Sequence, residues 1–254
     1  MKFQNLFDEF YKYVTDNIIP FFSKNMSKKF EIYYYELNSW NKIFNLISIK
    51  NVEELIYRHF CDSLYSAKLI NIILNEEKSI FYKSLKILDL GSGAGFPGIP
   101  VKIVLPNIKL TLVESVEKKC KFLKNINNKL GLNIEILNKR GEEIGQNLLY
   151  RQSYDFVLSR AVSGFSTNLE ISTPLLKVNG YFLIHKTKKA ICNIKDISDS
   201  LKNVLECLSI NLKKTIFYTL PNKNSEFCIL AFKKYKDTPK NFPRRTGIPN
   251  KRPL

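Results

Sequence analysis

The stretch Lys86-Ile-Leu-Asp-Leu-Gly-Ser-Gly-Ala-Gly-Phe-Pro-Gly98 begins as a strand and ends as a turn. Lys86–Leu90 is a short, mostly apolar run of strand length. Behind it, Gly91, Gly93 and Gly95 alternate with small residues, which lets the chain tighten and lets a ligand come close to the backbone. Pro97 is placed to open a helix, where its missing N–H costs nothing. Strand, glycine turn and helix in that order put the turn at the carboxyl edge of a parallel sheet, where α/β proteins bind ligands.

Outward from this unit, short apolar runs at Leu110–Glu114, Ile134–Leu137, Asp155–Ser159 and Tyr181–Ile184 alternate with amphipathic segments such as Val116–Leu130 and Lys195–Leu208. The alternation predicts βαβ units and a mostly parallel sheet covered by helices. Two further strands, Thr215–Thr219 and Phe227–Phe232, flank a turn with Pro221, Asn222 and Asn224, so the sheet is expected to close with an antiparallel hairpin. Seven strands with a terminal hairpin exceed the nucleotide-binding Rossmann sheet by one and suit the Rossmann-like class I methyltransferase fold. Up to about Leu74 the period is helical instead, with Phe3, Leu6, Phe7 and Phe10 on one stripe, then Phe30–Leu46 and Val52–Leu74. The expected organisation is an N-terminal helical extension over 1–80, an α/β domain over 81–235 and a C-terminal segment over 236–254. There is no internal repeat.

The loop also narrows the ligand. A pyrophosphate-binding G-x-G-x-x-G would need glycine where Phe96 stands. Gly91, Gly93 and Gly95 preceded by Asp89 suit S-adenosylmethionine, which has no phosphate to cradle and whose carboxylate can lie near a helix N-terminus. Glu114 ends the second strand about twenty residues beyond the loop, where a carboxylate accepts hydrogen bonds from ribose hydroxyls of either NAD or S-adenosylmethionine. Gly141 and Glu142 follow the third strand, level with an adenine amino group, and equally read as a helix cap. Arg160 ends the fourth strand in Ser159-Arg-Ala-Val162, with a guanidinium suited to a cofactor carboxylate, a substrate phosphate or a structural ion pair. The (Asp/Asn)-Pro-Pro-(Tyr/Phe) tetrapeptide common in amino-nitrogen methyltransferases is missing there. His59 and His185, the only histidines, have no metal-like or nucleophile-like spacing and are expected to be satisfied core or boundary residues, so neither a metal site nor an acid–base pair is expected.

The 254 residues, 44% hydrophobic and 25% charged, exclude wholesale disorder and leave room for one large domain with an appendage. Lys+Arg 40 against Asp+Glu 23 gives +17, which points to a polyanionic partner, although a chain this rich in Asn and Ile also has Lys inflated by composition. Position is more telling. Lys233–Leu254 holds eight basic residues and one acid, Asp237, and three of the chain's seven arginines. Arg244, Arg245, Lys251 and Arg252 are the expected RNA contacts. Pro239, Pro243, Pro249 and Pro253 argue against a regular helix or sheet and against much apolar burial, so the alternative to RNA contact is a solvated tail, and removal of the segment is expected to spare cofactor affinity. Five scattered cysteines without a C-x-x-C pair argue against disulfides and zinc, and neither a signal peptide nor a run of 18 apolar residues is present. A cytoplasmic monomer without membrane contact is expected.

With these motifs in place the chain resembles the bacterial small-subunit ribosomal RNA guanine-N7 methyltransferases, the RsmG or glucose-inhibited division protein B family. The resemblance rests on the glycine loop, Glu114-Ser-Val-Glu-Lys-Lys-Cys-Lys-Phe-Leu123 and Ser159-Arg-Ala-Val162. Trp40-Asn-Lys-Ile-Phe-Asn-Leu46, Arg58-His-Phe-Cys-Asp-Ser-Leu64 and Pro243-Arg-Arg-Thr-Gly-Ile-Pro-Asn-Lys-Arg-Pro-Leu254 extend it over nearly the whole chain. It implies S-adenosyl-L-methionine as cofactor and methylation of N7 of guanine 527, in the 530 loop of 16S rRNA, free or in the 30S subunit. It further implies cofactor contacts at Gly91, Phe96, Gly141, Glu142 and Arg160, with Glu114 at the ribose. The family's Lys-Gly after the fifth strand is Lys186-Thr187 here, which leaves Lys186 as a phosphate or base contact and a candidate in catalysis beside Arg160. The competing functions are a class I methyltransferase for another base or for protein, a dehydrogenase, disfavoured by Phe96, and a non-catalytic RNA-binding protein, disfavoured by the intact loop.

Overall fold

The computed structural model describes residues 2–78, 85–160, 164–191, 201–221 and 225–254. Seven strands form one sheet in the order β3-β2-β1-β4-β5-β7-β6. They are β1 (Lys86–Leu90), β2 (Lys109–Val113), β3 (Glu135–Leu137), β4 (Tyr154–Arg160), β5 (Leu176–Thr187), β6 (Ile210–Thr219) and β7 (Glu226–Lys234). β1 to β5 are mutually parallel, and β7 inserts antiparallel between β5 and β6. The order reverses between β1 and β4, so the connections leaving their carboxyl ends diverge and open a crevice.

Alternation along the strands sends side chains into two cores. Ile87, Leu112, Phe156 and Leu158 face one of them, whereas Leu88, Leu90, Val113 and Val157 face the other. Helices α1 (Lys2–Asn17), α2 (Lys24–Phe44), α3 (Val52–Glu54) and α4 (Asp62–Glu76), with the π-helical turn Leu55–Cys61 between the last two, cover the first face together with α5 (Gly98–Val104) and α6 (Glu117–Leu130). Ser23 and Asn51 start these helical runs by accepting from the amides of Met26 and Glu54. The N-terminal helices share their core with the sheet, and Phe60 ties the two by lying 5.0 Å from Phe30, 5.3 Å from Tyr33 and 5.9 Å from Phe96 between ring centroids. α7 (Gly141–Gln146), α8 (Phe165–Ser172) and α9 (Lys202–Leu208) cover the second face.

Two strands outrun their apolar patterns. β5 starts at Leu176, five residues before the run at Tyr181, because Lys177–Asn179 is a solvent-facing entry that ends in an irregular register against β4. β6 starts at Ile210 and, as the sheet edge, is mostly half-buried or exposed, with Asn211, Lys213 and Thr219 open to solvent, so its apolar pattern is weak there. α8 has almost every residue buried and therefore no amphipathic stripe, which is why periodicity does not reveal it. Ala161 and Val162, Cys192, the start of the predicted Lys195–Leu208 helix, Asn222 and Asn224, and the boundary at 80 lie outside the described residues.

The Pro-rich segment after β7 is docked, which sets aside the alternative of a solvated tail and corrects the expectation that its prolines allow neither helix nor much apolar burial. Phe242, Pro243 and Pro249 are buried, and a short helix, α10 (Ile248–Lys251), forms with Pro249 in its first turn. A Cβ at Gly145 would lie 2.8 Å from Pro243 Cγ, so the absence of a side chain there is what admits the proline. Arg151 supplies the donors that irregular backbone lacks, with Nη1 bonded to the Phe242 carbonyl at 2.6 Å and Nη2 to that of Thr238 at 2.8 Å.

Candidate functional site

A cavity of ≈ 310 Å³ opens where the carboxyl ends of β1, β2 and β3 meet α8 and the C-terminal segment. Gly91, Glu114, Gly141, Glu142, Thr246 and Asn250 are among its lining residues. Gly91, Gly93 and Gly95 all have positive φ, at 70°, 58° and 98°. At Gly93 the only atom within 4 Å of a hypothetical Cβ is the Gly91 carbonyl oxygen, so the loop's face is open to a ligand.

Glu114 holds this loop in shape. Its Oε2 accepts from the Gly93 amide and its Oε1 from the Val116 amide, each at 2.8 Å. Each carboxylate oxygen can accept a second bond, so the residue can brace the loop and still receive two hydroxyls. Gly141 is demanded by packing, because a Cβ there would meet Leu90 at 2.6 Å and Ile171 at 2.7 Å. Glu142 is buried and accepts from the Gly247 amide at 3.1 Å.

Asp89, Phe96 and Arg160 lie on the other side of the loop, toward the N-terminal helices. Asp89 points away from Leu90 as alternation requires, is fully buried, and accepts from the Gly98 amide through Oδ2 at 2.9 Å while its Oδ1 has no partner. Burial pushes its carboxyl up to about 7, against the Gly98 bond, the charge of Arg160 and a bond from Ser92, all of which favour the anion. Phe96 stacks on Tyr33 at 5.4 Å with the Arg160 guanidinium over its ring at 5.0 Å, and it does not line the cavity.

The guanidinium of Arg160 is engaged by the N-terminal helices. It bonds Asp62 Oδ2 at 3.0 Å, the Arg58 carbonyl at 3.1 Å and His59 Nδ1 at 2.7 Å. Arginine has no acceptor, so His59 Nδ1 must be unprotonated. Burial first, and Arg160 second, hold this imidazole down at about 3. Asp62 also accepts from Tyr218 at 2.6 Å and lies 3.4 Å from His185, whose Nε2 meets Ser66 Oγ at 2.5 Å. Burial raises the Asp62 carboxyl, but His185, Arg160 and Tyr218 outweigh it and leave it well below the ordinary carboxylate range. Ser66, His185 and Asp62 have the order of a nucleophile triad, yet Ser66 is completely buried and no substrate could reach it. Both histidines are thus satisfied members of a polar network, as their isolated positions predicted.

The network was missed in the sequence apart from Arg160, although His59, Asp62 and Ser66 recur at helical spacing and so mark one face. Lys186, half-buried at the end of β5, places Nζ 4.7 Å from the centre of the Phe165 ring. Arg245, Lys251 and Arg252 are exposed. Arg244 is half-buried: its Nε and Nη2 pair with the two oxygens of fully buried Glu170 at 2.8 and 2.6 Å, which makes it an anchor of the segment. Thr246 and Asn250 were also unforeseen, because nothing local brings a terminal segment to a pocket built by β1–β3. Among the described residues no group of His, Cys, Asp or Glu could hold a metal ion, and no helix is long and apolar enough to cross a membrane.

The strand order, the glycine loop after β1 and the carboxylate after β2 define a class I methyltransferase, whose methyl donor is S-adenosylmethionine. Comparison with known proteins narrows this class: the model of the GidB family, "rRNA small subunit methyltransferase G", matches residues 26–215. The ribosomal RNA small subunit methyltransferase G of Lachnoclostridium phytofermentans is 37% identical, covering 91% of each chain. That of Desulforamulus reducens is 38% identical over 91% of this chain and 92% of its own. That of Streptococcus pneumoniae is 35% identical over 97% and 99%. The chain belongs to the rRNA small subunit methyltransferase G family.

Two outcomes are expected. Arg160→Ala strips a buried carboxylate of its guanidinium partner and should lower the unfolding free energy by about 3 kcal/mol in urea titrations. The raised carboxyl of Asp89 contributes stability that is fully present below its unfolded value near 4 and is lost as pH rises through 7. Asp89→Asn should therefore gain on the wild type by on the order of 3–4 kcal/mol between pH 4 and pH 8, and a constant gap would show that the carboxyl titrates normally.

Proposed function

We propose that the protein transfers a methyl group from S-adenosylmethionine to N7 of guanine 527, in the 530 loop of 16S rRNA. The observation that carries this is the open glycine loop braced by Glu114, lining one cavity with Gly141 and Glu142, in a chain of this family. Bound there, the sulfonium would supply an electrophilic methyl. In this proposal Gly91 and Gly93 offer backbone to the donor, Glu114 receives the ribose hydroxyls, and Gly141 and Glu142 lie beside the base. Asp89 acts from behind, fixing the loop through the Gly98 amide.

Guanine N7 already carries an accessible lone pair, so attack on the methyl needs no general base. What remains for the protein is alignment and exclusion of water, effects that can supply much of the rate. In a paired A-form helix N7 lies in a deep, narrow groove, so a loop is the accessible target. The exposed Arg245, Lys251 and Arg252 neighbour the cavity-lining Thr246 and Asn250 in sequence, which supports a role for them in holding RNA phosphates near the donor site. Lys186 at the end of β5 is a further candidate for RNA contact.

The test is nucleoside mass spectrometry of 16S rRNA from cells lacking the protein. Loss of 7-methylguanosine from the 530-loop fragment, restored by purified protein and S-adenosylmethionine, is the expected result; an unchanged fragment rejects the proposal. Glu114→Ala should weaken S-adenosylhomocysteine binding by about 1.5–3 kcal/mol in calorimetry, the range for hydrogen bonds to a charged group. Replacing Arg245, Lys251 and Arg252 together by Ala should make the log K against log salt slope for a 530-loop RNA shallower by about 2, from roughly 0.7 per phosphate on single-stranded RNA.

A further inference from the structure

The C-terminal segment does more than carry charge. Thr246, Gly247 and Asn250 line the same cavity as Gly91 and Glu114, on the side that the strands leave open. Their position is enforced by bonds from both helices that frame that side. From α7, Gln146 Nε2 donates to the Pro243 carbonyl at 2.9 Å, and Glu142 accepts from the Gly247 amide at 3.1 Å. From α8, Thr167 Oγ1 donates to the Pro249 carbonyl at 2.9 Å, and Glu170 holds both the backbone amide and the guanidinium of Arg244. Glu170 is fully buried and Arg244 partly so, which makes this pair costly to break from one side.

We propose that this segment is a wall of the methyl-donor site, with Asn250 as a residue that contacts the donor and Glu142 as a positioning residue that keeps the wall in place through Gly247. The inference rests on the donor assignment of the cavity made above. Its chemistry favours the nucleoside end of the donor. A primary amide carries one acceptor and two donors, which matches the donor and acceptor that the edge of an adenine presents, as Asn does in reading adenine in nucleic acids. Asn250 is exposed in the described structure yet lines the cavity, so its amide is available to a ligand. Glu142 accepts one bond from the segment while lining the cavity itself, so a bound nucleoside and the segment would share this carboxylate. Loss of the segment would then cost the donor site a wall, contrary to the independence expected of a solvated tail.

The test uses the full-length protein and S-adenosylhomocysteine. Calorimetry should show Asn250→Ala binding at least tenfold more weakly than wild type at an unchanged melting temperature. On the unmodified chain, saturating S-adenosylhomocysteine should slow tryptic cleavage after Arg245 and Lys251 at least fivefold, read by intact mass. Wild-type affinity in Asn250→Ala together with unprotected cleavage overturns the wall while leaving the donor assignment standing. Failure of the wild-type protein to bind S-adenosylhomocysteine at all overturns the donor assignment and the wall with it. Should Asn250→Ala prove unstable, the protection measurement on the wild-type chain decides alone.

Discussion

A sheet of mostly parallel strands must be covered on both faces, because its strands are apolar to either side. In this protein that requirement is met by segments from both ends of the chain. The N-terminal helices lie over one face, from Phe7 inward, and the segment carrying Phe242 completes the cover of the other. Each covering segment brings polar groups to the carboxyl edge of the sheet, and so the covering of the core and the construction of the site are one event.

On the first face the consequence is electrostatic. Arg160 ends β4 and pairs in register with His185 of β5, and the helices bring Asp62, His59 and Ser66 to meet their polar groups. The π-helical turn ahead of α4 sets these residues at that edge, and Tyr218 closes the set from β6. The same face contains the buried carboxyl of Asp89, which braces the loop from behind with one oxygen and leaves the other without a partner. Burying an acid in this way costs stability near neutral pH, a cost borne where loop geometry matters most.

On the second face the consequence is geometric. A segment with four prolines satisfies only part of its own backbone, so further carbonyls are taken by Gln146, Arg151 and Thr167, and the Arg244 guanidinium by Glu170. Those donors and acceptors sit on or beside α7 and α8, which also border the cavity. Arg245, Lys251 and Arg252 remain exposed on the same segment, next in sequence to the cavity-lining Thr246 and Asn250.

The fold was legible because its signals are local. Strand period, glycine alternation with an acid at Glu114, and the order of apolar runs each depend on a few neighbouring residues, and they established the seven strands, the loop and the side of the sheet on which it lies. The absence of any partner spacing in the sequence likewise placed both histidines as satisfied core or boundary residues. Pairings between residues far apart in the chain were decided only by tertiary structure. Whether Arg160 meets a ligand or Asp62, and whether Arg244 meets RNA or Glu170, depends on which element packs against it, and an arginine's sequence neighbours do not record that. For the same reason the docking of a proline-rich basic terminus is not legible in its sequence: the buried glutamate that pairs with Arg244 and the missing side chain of Gly145 that admits Pro243 lie 74 and 98 residues upstream, brought to it only when the second face of the sheet is covered.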